Sequence, residues 1–175
     1  MKTTAISVSV AVVVLTSICS LHAASLAGVT LPDTVQVGDS MLVLNGLGLR
    51  TKFSVKVYVA GLYLEQKSSD SSAIIKSDAS KKIVMHFLHS ASKQQMTDAF
   101  NDGFKDNTPD AEKTMKTDID RLLDALEPLK KGDQMVFTYT EKLTIAGPAF
   151  GQVLFSVWLG QKPPNTDLKK GILGQ

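Results

Sequence analysis

Apolar and polar residues alternate first at the spacing of strands, then at that of helices, then again at that of strands. "TVQVGDSMLVLNG" (34–46) predicts two short strands around a turn at Gly38-Asp39. "FSVKVYVAGLYLE" (53–65) alternates for longer, with Phe53, Val55, Val57 and Val59 on one face and Ser54, Lys56 and Tyr58 on the other. "EQKSSDSSA" is a polar break, and "KKIVMHFLH" (81–89) reads as another strand.

Helical spacing takes over at Ser92, which forms a capping-box pattern with Gln95. Met96, Ala99, Phe100, Gly103 and Phe104 then fall on one apolar stripe. "NTP" ends that helix, and Thr108 with Pro109 predicts the start of a second one. Met115, Ile119, Leu122, Leu123 and Leu126 form its buried face until Pro128 and Gly132 close it. Strand patterning returns in "QMVFTYTEKLTI", a turn is expected at "AGPAFG", and "QVLFSVWLG" reads as a last strand. Asn165 is placed to cap a short helix, "TDLKKGIL". Strands, two helices, strands and a helix, without βαβ alternation, predict one α+β domain: an antiparallel sheet with helices on one face.

The N-terminus adds a compartment. Lys2 precedes an apolar run, Ala5 to Ile18, and "LHAAS" offers small residues for cleavage after Ala23. Residues 1–23 therefore read as a secretory signal peptide, with 24–175 as a single mature domain that is periplasmic or secreted and carries no membrane span. An uncleaved anchor or a lipoprotein is the rival, but Ile18 before the sole cysteine, Cys19, fits lipoprotein processing poorly. With 19 basic and 17 acidic side chains the charge is nearly balanced, which gives no nucleic-acid footprint.

Little catalytic chemistry stands out. His86 and His89, three apart in a strand, point to opposite faces and read as ordinary strand histidines, so no metal or cofactor is expected. Gly46-Leu47-Gly48 is read as a structural turn, since no helix follows to make it a phosphate cradle. Asp118, Asp120, Arg121 and Asp124 read as a solvated helix face. Arg50 differs, being one of only two arginines in a chain that otherwise uses lysine. Its permanently charged planar fork suits a carboxylate or other oxyanion beside an apolar sheet, while an edge arginine reaching solvent is the plainer alternative. Tyr58 is the natural second donor, but eight residues of straight strand span about 26 Å. The pair can share a ligand only if the chain turns or bulges around Arg50-Thr51-Lys52.

"LNGLGLR", "KFSVKVYVAGLYLE", "HFLHSASKQQMTDAFNDGF" and "VWLGQKPPNTDLKKGILG" together resemble the chalcone isomerase-like proteins, and in particular their exported bacterial branch. The likeness runs from about Val37 to Gly174 and implies an open-faced β-sandwich with a ligand cleft between sheet and helices. It implies either an isomerase that closes a chalcone hydroxyl onto a double bond, or a non-catalytic relative that binds fatty acids. Arg50 matches the arginine of the enzymes. Their strand threonine falls on Tyr58, as in the fatty-acid-binding branch. Their helix tyrosine falls on Met96, their asparagine near Gly103, and their C-terminal hydroxyl near Gly171, so the groups that recognise a polyphenol are replaced.

The resulting expectation is a non-catalytic binder of a fatty acid or similar small amphipathic acid. Arg50 would hold the carboxylate, Tyr58 would add a hydrogen bond, and Met96, Phe100 and Phe104 would line the tail cleft. An isomerase or intramolecular lyase on an unknown substrate is the alternative. A module with no small-molecule ligand is the third, and it predicts a filled cleft with Arg50 satisfied by protein oxygens. No protein partner is legible.

Overall fold

A computed structural model describes residues 23–140 and 147–175; the expected signal peptide (bar Ala23) and the "EKLTI" end of the expected "QMVFTYTEKLTI" strand lie outside them. The elements in order are β1 (Ala23–Leu26), β2 (Val29–Pro32), β3 (Thr34–Val37), β4 (Ser40–Lys52), β5 (Val55–Leu64), α1 (Ser71–Lys76), β6 (Lys81–Phe87), α2 (Lys93–Asn107), α3 (Ala111–Thr114), α4 (Lys116–Asp124), β7 (Gln134–Tyr139), α5 (Gly147–Leu159) and α6 (Thr166–Ile172). Strands β3 to β7 form one antiparallel sheet in sequence order, and β1 pairs with β2 as a separate hairpin.

The sheet is covered on both faces. On one, Ala60, Leu62, Ile83 and Met85 pack with Phe104, Phe155 and Trp158 from the helices. On the other, Leu42, Leu44, Val59 and Val84 pack under Val29 and Leu31 of the small hairpin. This is why β5 is buried without interruption from Tyr58 to Leu64. The burial of both strand faces also hides the alternation expected of a half-exposed strand.

Several predicted elements form for the reasons given. The turn at Gly38, with φ 56°, joins β3 to β4. The capping box at the start of α2 is complete: Ser92 Oγ accepts from Gln95 N, and the Gln95 side chain accepts from Ser92 N. Met96, Phe100 and Phe104 form the buried stripe of α2.

Others are corrected. Thr108 does not start the second helix; its hydroxyl donates back to the Phe104 carbonyl and closes α2. The next helix begins at Ala111 and breaks at Met115 (φ −127°) into α3 and α4. Asp70 caps an unpredicted helix, α1, inside the polar break, accepting from Ala73 N at 3.0 Å. Pro148 opens α5, where a turn and then a strand were expected.

Gly46-Leu47-Gly48 is not a turn; it lies inside β4. Helix α6 rests directly on it, so a Cβ on Gly46 would meet the Gly171 carbonyl and one on Gly48 the Leu168 carbonyl. The glycines remove side chains where a helix backbone lies against a strand. Asn165 takes its expected place at the α6 N-terminus but makes no cap bond, and its amide donates instead to the Leu49 carbonyl at 3.2 Å. Among the described residues no helix is long and apolar enough to cross a membrane.

Candidate functional site

The chain turns at Phe53-Ser54, so β4 and β5 form a hairpin in which Arg50 stands directly opposite Tyr58. The condition for the two to meet is thus satisfied by a turn a little beyond the place expected. A bulge follows, because Arg50 pairs with Tyr58 while Thr51 pairs with Lys56, leaving Val57 as the extra residue. Directly opposed residues share a sheet face with Cβ atoms about 5 Å apart. For this pair it is the face covered by the helices.

Arg50 is partly buried and its Nη1 donates to the Thr51 carbonyl at 2.9 Å, to the Pro164 carbonyl, and to Asn165 Oδ1 at 3.4 Å. Among the described residues its Nε and Nη2 have no acceptor. Tyr58 is 9% exposed, its ring lies 5.4 Å from that of Phe87, and its hydroxyl accepts from Trp158 Nε1 at 3.3 Å. Its own hydroxyl proton has no acceptor among the described residues. Burial pushes the phenol up to about 12, with the Trp158 hydrogen bond and then the Arg50 charge pulling it partly back. Tyr58 is therefore a neutral donor at physiological pH, beside a cation with donors to spare.

From Trp158 an aromatic series leads into the interior. Phe100 meets Trp158 edge-on at 5.8 Å, Phe137 lies 5.6 Å from both, and Phe104 is 6.1 Å from Phe100. Met96 is buried in the same cluster. Tyr58, Met96, Phe100 and Phe104 belong to one core cluster, and Arg50 stands opposite Tyr58 across the strand pair with its guanidinium toward the entry of α6. Helices α2 and α5 approach closely because Gly103 faces Val157. Sequence reasoning missed Trp158, the chain's single tryptophan, because its segment reads as strand.

Phe100, Phe104, Phe155 and Trp158 are buried between sheet and helices, and two cavities lie outside this region. One, about 330 Å³, sits under the β1–β2 hairpin between Asp33, Asn45 and Lys67. The other, about 340 Å³, lies between Glu65, Ile74 and Lys81. Lys81 is 2% exposed, donates to the Ile74 and Ser77 carbonyls at the end of α1, and lies 4.7 Å from the Tyr139 ring centre. Burial lowers its pKa, and Asp78 opposes that shift.

The remaining polar motifs stay apart from this region. His86 is in β6 and His89 lies beyond the end of that strand, at Phe87. Among the described residues no three of His, Cys, Asp and Glu are placed to hold a metal. Along α4, Lys116–Asp120 at 2.7 Å is an exposed pair, and Arg121–Asp118 at 3.5 Å joins an exposed arginine to a half-buried aspartate.

The sheet, its helical cover and the arginine on β4 can be set beside known proteins. The crystal structure of a fatty-acid binding protein of Arabidopsis thaliana superposes with a TM-score of 0.65 at 12% sequence identity, over 87% of this chain and 96% of that one, which is a likeness of fold. No curated protein sequence matches the chain. The family model described as "Chalcone isomerase-like" matches residues 23–174, from the first strand of the small hairpin to the glycine after α6. Since that span takes in every strand of the sheet and the helix seated on Gly46 and Gly48, the chain belongs to the chalcone isomerase-like family.

Proposed function

We propose that this protein is a non-catalytic binder of a small amphipathic acid of the fatty-acid type. Arg50 and Tyr58 hold the carboxylate, and the hydrocarbon runs along Trp158, Phe100, Phe104 and Met96. The carrying observation is the opposed pair: each residue keeps a donor with no acceptor among the described residues, and both stand at the edge of an apolar aromatic wall. Two donors on opposed residues, one of them cationic, suit a single anionic head group. A phenol raised to about 12 donates a hydrogen bond at neutral pH but is a poor general base, which favours binding over catalysis. The fold neighbour from Arabidopsis thaliana, described as a fatty-acid binding protein, supports the ligand class. Admitting a tail requires the Phe100 and Trp158 rings to part. The N-terminal pattern of residues 1–23 supports export, with the mature domain acting in the periplasm or outside the cell.

One specific observation favours a module without a small-molecule ligand: Arg50 Nη1 already meets three protein oxygens, tying β4 to the entry of α6. An isomerase of the family type rests on Arg50 alone. Native mass spectrometry of the exported protein, with Trp158 fluorescence titrated by palmitate, separates these readings. The binder reading expects a co-purifying acid and a palmitate-dependent fluorescence change, with Tyr58→Phe binding about tenfold more weakly for the loss of one hydrogen bond to a charged group. Arg50→Lys, which keeps a donor for Pro164 but loses the fork, should weaken binding further. No acid and no fluorescence change, with Arg50→Ala merely less stable, would establish the clamp. Loss of long-wavelength absorbance from a chalcone would establish the enzyme.

A further inference from the structure

The tip of the β4–β5 hairpin carries the most exposed large apolar side chain described: Phe53 is 91% exposed, and Val55 beside it is 44% exposed. The loop has two residues, closed by the pair Lys52–Val55, and both central residues have positive φ, 49° at Phe53 and 65° at Ser54. A loop of this kind favours Asn-Gly, and a bulky aromatic at positive φ is an uncommon and strained choice. Burial does not compensate, since the ring is almost wholly in solvent with Lys52 Nζ 6.0 Å from its centre.

The surroundings are basic. Lys52 and Lys56 flank the tip and are exposed. At the same end of the sheet, the turn before β7 is bonded to the end of β6 (Phe87 N to the Asp133 carbonyl at 2.9 Å, Gly132 N to the Phe87 carbonyl at 2.8 Å) and brings Lys130 and Lys131. The carboxylate in these segments, Asp133, accepts from Lys130 N at 2.8 Å. In a chain whose charges nearly cancel, four lysines against one aspartate is a local excess of positive charge.

We propose that this tip docks the protein on an anionic lipid surface, with Phe53 entering the interfacial layer and Lys52 and Lys56 meeting the head groups. A protein partner fits less well. A stable protein interface needs about 800 Å² per side and a core depleted of lysine, whereas this is a single projecting ring among lysines. An aromatic ring ringed by cations is the arrangement by which peripheral proteins enter the head-group region. The proposal goes beyond acid binding and does not require it. If both hold, Arg50 and Tyr58, on the same two strands, would face the surface that supplies the acid.

The test uses the exported protein with vesicles of phosphatidylglycerol and phosphatidylcholine, and with phosphatidylcholine alone. Phe53→Trp reports on the tip itself. Its added emission should shift to the blue on the anionic vesicles, far less on neutral ones, and the shift should disappear at high salt, while the buried Trp158 of the wild type stays unchanged. Phe53→Asn removes the ring and places at positive φ a residue that tolerates it. Its thermal midpoint should be equal or higher, while its flotation with anionic vesicles falls about tenfold. No blue shift, or flotation of Phe53→Asn equal to wild type, overturns the proposal. A shift that depends on protein concentration without lipid would assign the tip to a second copy of this chain and overturn it as well. Palmitate binding by Phe53→Asn is measured alongside, so losing one property does not imply losing the other.

Discussion

The indole nitrogen of Trp158 donates to the hydroxyl of Tyr58 at 3.3 Å, joining α5 to β5 in the interior. That one bond connects the polar end of the candidate site to its aromatic wall. It also fixes which hydrogen-bonding role Tyr58 has left: with a lone pair taken by the indole, the phenol proton is what remains to offer. Trp158→Phe would keep a ring in place but strand the hydroxyl. The expected cost is about 2 kcal/mol, combining an unmet buried polar group with a small cavity. Because the indole bond pulls the phenol downward, its loss should also move the Tyr58 titration further up. Chemical denaturation and ultraviolet titration of the variant check both effects.

The tyrosines give a pH dependence with a definite sign. Burial pushes both Tyr58 and Tyr63 up to about 12, and at Tyr63 the Asp33 charge adds to it. A phenol whose folded value exceeds its unfolded value of 10.0 stabilises the fold fully below that pH. The stabilisation is lost as pH rises from about 10 toward about 12. Tyr58 and Tyr63 should therefore ionise late by absorbance at 295 nm, in step with loss of near-ultraviolet circular dichroism. Normal ionisation of Tyr58 and Tyr63 in the folded protein would contradict their burial.

How far these features can be read from the chain depends on whether local chemistry or distant packing dictates them. The α2 stripe was legible because a helix half in solvent shows its period, and Ser92 and Gln95 mark its start. Helix α5 was not. From Val153 to Leu159 every residue is buried, so no polar face interrupts the run, and Val, Phe and Trp carry strand propensity. Packing against both the sheet and α2 overrides that propensity. The Arg50–Tyr58 pairing was legible only as a condition, since Phe53-Ser54 has neither the Asn nor the Gly that a two-residue loop of positive φ favours. Gly46 and Gly48 were noticed but misplaced, because the reason for them is a helix more than a hundred residues away.

That reason can be tested at Gly48. A methyl there would collide with the backbone carbonyl of Leu168 rather than with a side chain able to rotate aside. Gly48→Ala should shift α6 off the sheet and cost about 3 kcal/mol, the upper end of overpacking penalties. Since Asn165 and Pro164 lead into α6 and hold Arg50, the same change should weaken palmitate binding if Arg50 is the anion anchor. Urea denaturation gives the first effect and fluorescence titration the second. A Gly48→Ala protein as stable as wild type would mean that α6 does not rest on β4 as described.

Lys81 supplies a pH dependence of the opposite sign. Its ammonium is enclosed by the last carbonyls of α1 and the rings of Tyr139 and Phe155, and burial lowers its folded pKa below 10.5. Folding therefore disfavours the charged form, and the unfolded chain binds the proton more readily. Stability should rise as pH increases through the folded value toward 10.5, until the tyrosine loss takes over. Lys81→Met keeps the length of the chain and removes the titration. The charge is carbonyl-bonded yet desolvated, so the gain from removing it and the loss of its partners should nearly cancel, leaving stability at neutral pH within about 2 kcal/mol of wild type. The decisive comparison is the slope: denaturation midpoints measured from neutral pH to about 10 should rise in the wild type and stay flat in Lys81→Met. If the variant keeps the rise, the proton belongs to another group and burial does not lower the Lys81 pKa.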